Sequence, residues 1–468
     1  MPIESVNPAT GETLKRYEEM ALPQVNAAIE SAHAAFLKWR ETSFAERATL
    51  MRKAAVLLRD RAAEYGKLMA QEMGKPIRDG IGEAQKCAMG CEYYAEHAQR
   101  YLADEIVDSG SRKSFVAFRP LGVVLAVMPW NFPFWQVIRF AAPALMAGNA
   151  GLLKHASNVP GSALALEQLF RDAGFPEHLF RTLMIGSKMV GDVIAHPHVR
   201  AVSLTGSTPA GRDVAAKAGA VLKKCVLELG GSDAYLVLAD ADIAFAAAAS
   251  AKGRLVNSGQ SCIAAKRFIV LDALKERFER HLVAEMGKAR VGDPLEESTT
   301  VGPMARRDLR DELHEQVEKS IAKGARLLCG GKSPDGPGAF YPPTVLGDVH
   351  PGMPAYDEEL FGPVASVIAA KDVDDAVRIA NDSEFGLGGG VFTRDLALGE
   401  RLAADRIDAG SVFVNATVSS DPKLPFGGVK DSGYGRELSS YGIREFVNIK
   451  TVVVAQHGEQ PTSSHHSE

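Results

Sequence analysis

The sequence predicts an α/β protein built from two successive parallel-sheet units. Three observations predict it. Short β-branched runs alternate with helical stretches between residues 122 and 228, the alternation restarts after residue 243, and 468 residues suffice for several structural units of roughly 100–200 residues each. Hydrophobic residues make up 46% and charged residues 24% of the chain, which excludes a disordered, collagen-like or disulfide-scaffold protein.

Residues 25–40 and 44–70 carry apolar side chains at three- and four-residue spacing with charges between them, the pattern of amphipathic helices. Segment 122–128 is a β-branched run stopped by Pro129, and so a buried strand. A helix over 142–147 ends at Gly148 and Asn149. Strand 151–154 precedes a helix over 161–173 closed by Gly174. Strand 181–185, helix 189–195, strand 201–205, helix 211–219 and strand 224–228 complete the first unit. The second carries helix 244–254, strand 267–270, helices 274–289 and 308–323, strand 325–328, helix 373–381 and strand 412–415. The units join near residue 235. Segment 104–119 alternates weakly, as a β-arm does, 334–343 is a loop rich in Pro and Gly, and the chain after residue 455 is a polar tail.

Charge and cysteine content narrow the function. A net charge of −5 leaves no basic excess to neutralise phosphates, so neither nucleic acid nor an anionic membrane is an expected partner. The N-terminus lacks a charged region followed by an apolar one, and the most apolar stretch, 121–140, is interrupted by Pro129, Asn131, Pro133 and Arg139. Five scattered cysteines (Cys87, Cys91, Cys225, Cys262 and Cys329) suit a reducing compartment. Cys87 and Cys91 can share a helix face as buried small hydrophobes, and no metal site is expected. The expectation is a cytoplasmic enzyme or binding protein.

Two familiar phosphate signatures fail. No G-x-G-x-x-G follows an early strand, and Gly330-Gly331-Lys332-Ser333 has Arg326 where a Walker loop needs glycine. Four other segments remain. Gly259-Gln260-Ser261-Cys262 lies after a helix and before a strand, where a turn can present a thiol. Glu228-Leu229-Gly230-Gly231 follows a buried strand. Pro129-Trp130-Asn131-Phe132-Pro133 stands at the C-terminal end of a parallel strand, where open α/β sheets bind ligands. Thr205-Gly206-Ser207-Thr208-Pro209-Ala210-Gly211 is a strand–turn–helix suited to an anion. Singly, each also fits a structural role: a buried inert thiol, a salt-bridged acid, a turn, a helix start.

Together these segments resemble the aldehyde dehydrogenase superfamily. Further matching segments are Asn7-Pro8-Ala9-Thr10-Gly11, Glu359-Leu360-Phe361-Gly362-Pro363, residues 381–387 and residues 425–437, with Glu228 thirty-four residues before Cys262. Residues 128–136 and 153–156 look most like the short bacterial succinate-semialdehyde dehydrogenases. The resemblance implies a Rossmann-like cofactor domain (1–103 and 120–234), an α/β catalytic domain (235–440), a β oligomerisation arm (104–119 with 441–455) and a tail (456–468). It implies Cys262 as the nucleophile that forms a thiohemiacetal and then a thioester, Glu228 as the base for the hydrolytic water, and the Asn131 amide with the Cys262 N–H as oxyanion donors. Trp130, Lys154, Ser157, Gly206, Ser207, Gly211, Leu229, Glu359 and Phe361 would hold NADP or NAD. NADP is favoured, because Ser157 stands where NAD-preferring relatives often carry a glutamate that repels a 2′-phosphate.

The same resemblance implies a small aldehyde substrate and a homodimer or homotetramer. Arg139, helped by Trp135, Gln136, Ser419 and Ser420, would grip a distal carboxylate, which favours succinate semialdehyde. Val256 occupies the position where some relatives carry a second Arg, so glutarate semialdehyde and uncharged aldehydes stay open. Ala264 replaces the second cysteine of a redox switch found in some relatives. Two other classes compete: a cysteine hydrolase or acyltransferase, which lacks a recognisable His partner, and a catalytically silent binding protein.

Overall fold

Buried strand Val123–Met128 is the hinge of the topology in the computed structural model, which describes residues 3–455. The polar tail expected at 456–468 lies outside the described residues. From Val123–Met128 the chain steps outward in one direction to Ala150–His155 and Phe180–Thr182, then returns to the other side through Val199–Thr205 and Lys224–Glu228. These strands are parallel, and Gly433–Tyr434 adds an antiparallel sixth beside Lys224–Glu228. The strand order therefore reverses between Val123–Met128 and Val199–Thr205, and a crevice opens beyond their carboxyl ends. The loop starting at Pro129 and the turn Thr205–Gly206–Ser207 flank it.

The second sheet has seven strands in the order Arg326–Cys329, Thr344–Gly347, Val364–Ala370, Arg267–Leu271, Ala234–Val237, Gly388–Phe392 and Ser411–Val414. All neighbours are parallel except the first pair. Four of these strands, Ala234–Val237, Thr344–Gly347, Val364–Ala370 and Gly388–Phe392, go beyond the sequence expectation. The last begins with three glycines, which ordinarily argue against a strand. Packing explains them. A Cβ on Gly388 would stand 2.2 Å from Asp233 Oδ2, and one on Gly390 would stand 3.0 Å from the Tyr235 ring.

The helix expected over 44–70 is two helices, Phe44–Asp60 and Ala62–Met73, broken at Arg61 (φ −102°, ψ 14°). Their apolar residues face one core, so the period reads through the break. The helix expected from residue 142 already starts at Trp135 and runs to Met146. Every residue in it is buried, so no apolar face alternates with a polar one to reveal it. Ile77–Tyr101 is a 25-residue helix that buries Cys87 and Cys91. An N-terminal hairpin pairs Ile3–Val6 with Thr13–Tyr17.

Residues 104–119 carry Glu105–Ile106 and the start of Lys113–Pro120. Lys113–Pro120 pairs antiparallel with Val447–Val454 in unbroken register from Val447↔Pro120 to Val454↔Lys113. Ile106, Ile449 and Val453 on this three-stranded arm are exposed. Among the described residues no helix is long and apolar enough to cross a membrane.

Candidate active site

A cavity of about 550 Å³ fills the crevice, lined by Trp130 and Asn131, by Gly206 and Ser207, and from the second unit by Cys262, Glu359 and Phe361. The first unit's loop is tied down by buried charges. Glu83 Oε1 accepts from the Phe134 and Trp135 N–H groups, each at 2.9 Å, capping the start of Trp135–Met146. Glu83 also pairs with buried Lys75, whose ammonium sits 3.9 Å from the Phe132 ring centroid. His155 accepts from the Ala156 N–H at Nδ1 (2.9 Å), so Nε2 carries the proton and donates to Pro133 O at 2.9 Å. Burial pushes this imidazole down to about 4, so it is a neutral strut between strand Ala150–His155 and the loop.

Helix Ile243–Leu255 ends in three consecutive left-handed residues, Asn257 (φ 53°), Ser258 (φ 57°) and Gly259 (φ 78°), before Cys262. Left-handed backbone at two residues other than glycine costs about 1–3 kcal/mol each, and buried hydrogen bonds hold it. Asn257 Nδ2 donates to Asn131 O (2.7 Å) and Gln260 O (3.1 Å), and Ser258 Oγ accepts from Gly302 N (2.9 Å). Lys266 closes the far side. Its ammonium donates to the carbonyls of Ser261 (3.1 Å), Cys262 (2.8 Å) and Ala264 (3.2 Å) and lies 3.3 Å from Glu359 Oε1.

Gly259 is the tightest point of this turn. A Cβ there would stand 2.3 Å from the Gly362 carbonyl carbon, on a backbone that already disfavours one. Gly259→Ala is therefore expected to destabilise by about 2–3 kcal/mol. The control is Gly82→Ala, on a helix with open space around its Cβ position. A lower thermal midpoint for Gly259→Ala alone is the expected result, and equal midpoints would show that the turn relaxes.

The Cys262 thiol is free and pushed up to about 12 by burial, against the opposing charges of Arg139 and Lys266. Asn131 Nδ2 donates to Gln260 O at 3.1 Å, leaving one amide hydrogen over, and the Cys262 N–H has no hydrogen-bond partner among the described residues. Glu228 is buried, with neither carboxyl oxygen hydrogen-bonded among the described residues. Burial, then the neighbouring Glu437 carboxylate, raises it well above the usual range, against Arg139 and Arg436. Its carboxyl does not reach the cavity wall. Oε1 lies 2.8 Å from where a Cβ of Gly427 would stand.

The sequence expectation for Arg139 is a guanidinium that grips a substrate carboxylate; in the structure Arg139 is buried and paired with Glu437, a neighbour the sequence did not suggest. It donates to Thr205 Oγ1 at 3.3 Å and lies 4.7 Å from the Phe426 ring centroid. These contacts leave Arg139 Nη1 without a hydrogen-bond partner among the described residues. Gln136 lines the cavity, whereas Trp135 is buried beside it and donates from its indole N–H to Ser420 Oγ at 3.1 Å. Ser419 is exposed.

The residues expected around a cofactor fall into two groups. Trp130 meets Phe361 edge to face at 5.7 Å, and Glu359 accepts from Gly231 N at 3.1 Å. Gly206 and Ser207 lead into helix Thr208–Ala220. A Cβ on Gly211 would stand 2.5 Å from the Leu229 methyls, so glycine lets this helix pack against Leu229. Lys154 and Ser157 lie off this cavity's wall, at the end of Ala150–His155. The Lys154 ammonium has no hydrogen-bonding partner among the described residues, and burial lowers its proton affinity. Ser157 is exposed and does not cap the next helix. Val159 holds the cap position of Pro160–Asp172, while Glu72 accepts from Gly161 N and Ser162 N at 2.8 Å each.

Sequence reasoning missed Lys75, Glu83, Lys86, Lys266 and Glu437. They lie far from the motifs they serve or, like Lys266, act through backbone carbonyls that no sequence pattern marks. Glu437 alone carried a signal, as the last residue of the segment 425–437.

The chain is 49% identical to a probable NADP(+) succinate-semialdehyde dehydrogenase of Synechocystis sp., over 97% of this chain and 100% of that protein. It is 52% identical to succinate-semialdehyde dehydrogenase [NADP(+)] 1 of Mycobacterium tuberculosis, over the same shares. The crystal structure of succinic semialdehyde dehydrogenase from Streptococcus pyogenes, in complex with NADP+ as the cofactor, superposes with a TM-score of 0.94 at 37% identity, covering 97% of this chain and 100% of that one. Residues 1–452 match the profile of the aldehyde dehydrogenase family, and the chain belongs to that family.

Proposed function

We propose that this aldehyde dehydrogenase oxidises succinate semialdehyde to succinate and reduces NADP. The observation that carries the reading is the full-length identity of about half to NADP-dependent succinate-semialdehyde dehydrogenases, on a chain whose Cys262 and Asn131 face one cavity with Glu359 and Phe361. The residues suit the cofactor. A helix start at Ser207 offers unpaired N–H groups to a pyrophosphate, and Trp130, Glu359 and Phe361 edge the space beside Cys262. Lys154 is a cation without a partner among the described residues, and the buried Asn158 amide has neither polar atom hydrogen-bonded among them. What bound NADP supplies is a hydride acceptor.

The chain's own residues supply the rest. Cys262 attacks the aldehyde carbon as a thiolate, and Arg139 and Lys266 favour that charge. The Asn131 amide and the Cys262 N–H donate to the oxygen as it becomes an oxyanion, a contribution of ~10²–10³ per donor. Hydride loss leaves a thioester on Cys262, and water hydrolyses it to the carboxylate and the free thiol. Glu228, which no hydrogen bond among the described residues holds back from the cavity, swings toward the thioester and takes the proton from that water. A raised carboxyl is the stronger base, which suits it to work near neutral pH. The exposed apolar residues on the arm support a homodimer or homotetramer formed through that arm. Steady-state assays by reduced-cofactor absorbance, with succinate semialdehyde, glutarate semialdehyde and butanal, test the substrate. Equal kcat/KM for all three would overturn it.

Cofactor choice rests on Ser157. Its hydroxyl can donate to a 2′-phosphate that Lys154 attracts, and a glutamate there would repel the same group. Ser157→Glu is expected to raise KM for NADP at least about tenfold, with much less effect on NAD. The check is kcat/KM for both cofactors at fixed salt. An unchanged ratio would place the 2′-phosphate elsewhere.

A further inference from the structure

Two cavity groups on different segments, Cys262 and Glu359, meet one buried cation. Lys266 immediately precedes strand Arg267–Leu271, where its N–H donates to Asp233 O (3.0 Å) and its carbonyl accepts from Ser366 N (3.0 Å). Its backbone is thus fixed by the strands on either side. Its side chain is 1% exposed, turns back under the thiol loop and lines no part of the cavity. The ammonium donates to the carbonyls of Ser261, Cys262 and Ala264 and lies 3.3 Å from Glu359 Oε1. An ammonium has three N–H groups, and three carbonyls converge on this one.

Ser261 O is held twice. Ala264 N donates to it at 3.1 Å, closing a turn over 261–264, and Lys266 Nζ takes its second lone pair, also at 3.1 Å. No described peptide bond is cis, and in a planar trans peptide the C=O and N–H point in opposite directions. Pinning Ser261 O beneath the loop therefore turns the Cys262 N–H the other way, and that N–H has no partner among the described residues. Rotation of this single peptide would swing the donor aside. Glu359 is held by the same cation. Its Oε1 accepts from Gly231 N at 3.1 Å and faces Lys266, so Oε2 accepts from no described residue.

We propose that Lys266 is a positioning residue for aldehyde oxidation: it aims the Cys262 N–H at the oxygen of the bound aldehyde and holds Glu359 for the cofactor. It touches neither substrate nor cofactor. The inference rests on Cys262 as the nucleophile and adds the group that gives its oxyanion donor a direction. Lysine suits the task, because its three N–H groups radiate from one atom, whereas the donors of an arginine lie in a plane. Burial lowers the proton affinity of Lys266, and among the neighbouring charges Glu359 opposes this most.

A trifluoromethyl propyl ketone isolates the first role. The thiol sulfur bonds to its carbonyl carbon, the carbonyl π pair moves to oxygen, and the thiol proton leaves to solvent. That carbon carries no hydrogen, so no hydride follows and the adduct remains as a mimic of the oxyanion. Its dissociation constant, read by fluorine NMR on cofactor-free enzyme, should rise roughly 10- to 100-fold in Lys266→Met, short of the ~10²–10³ that loss of a whole donor costs. The single-turnover rate with butanal and saturating NADP should fall by the same factor, with KM for butanal little changed.

Two further variants separate the roles. Glu359→Gln leaves the three carbonyl contacts in place, so it should raise KM for NADP and keep the ketone constant of the wild type. Lys266→Arg keeps the charge and donors that a buried site needs to fold, and its rate and ketone constant should change in proportion to each other. A slower turnover in either lysine variant without a weaker ketone would overturn the proposal. So would an unaffected Lys266→Met, or a Glu359→Gln that weakens the ketone as much. An adduct that persists in Cys262→Ala would instead overturn the nucleophile reading on which the proposal stands.

Discussion

Cys262→Ala is expected to abolish aldehyde oxidation, by at least ~10⁴-fold in kcat, while NADP still binds. The thiol is the atom that bonds to substrate, and no other described cysteine can replace it. Cys87 and Cys91 are sealed inside helix Ile77–Tyr101, where burial raises both thiols, to about 12 for Cys91. Cofactor quenching of tryptophan fluorescence should survive the change, because Trp130 and Phe361 are untouched. The alanine variant is also the blank for alkylation of the wild-type thiol. Cys262 sits at about 12 without ligands, so its alkylation by iodoacetamide should rise about tenfold per pH unit between 7 and 10 and show no plateau. Succinate formation at a comparable rate by the alanine variant would remove Cys262 from the mechanism.

How far the sequence reaches is visible in Asn131 and Arg139, eight positions apart and both marked by the family resemblance. Asn131 reaches the cavity because Pro129 and Pro133 force an irregular loop whose position is fixed by its own chemistry. Arg139 lies on a helix buried all round, and its partner is set by which side chain the distant segment 425–437 brings to it. That side chain is Glu437, and it holds the guanidinium. Strand Gly388–Phe392 escapes the sequence for a related reason. Its glycines are there to admit Asp233 and Tyr235, so its local composition describes its neighbours rather than its own conformation. What could be read was local: strand ends, turns and the thiol loop. What could not was pairing across the sheets, including Lys86 with Ser420 and Lys266 with three carbonyls.

Glu228→Gln should separate the two halves of the reaction. Glutamine keeps the shape and removes the base, so acylation should proceed to one equivalent of reduced cofactor per active site. Turnover should then fall by roughly 10²–10⁴, the usual worth of a positioned general base. The pH profile identifies the residue independently. Deacylation needs the ionised carboxylate, and burial together with Glu437 raises Glu228 well above the ordinary range. The wild-type kcat should therefore fall as pH drops through a limb nearer neutrality than a solvent-exposed glutamate would give. The glutamine variant should lack that limb. Glu437→Gln supplies the sign control. It removes the negative charge that raises Glu228 and releases Arg139, which lowers it, so both effects shift the acid limb to lower pH. A limb that stays in place would assign the titration to another group, and loss of the burst in Glu228→Gln would mean that this carboxyl acts before the thioester forms, on the Cys262 proton itself.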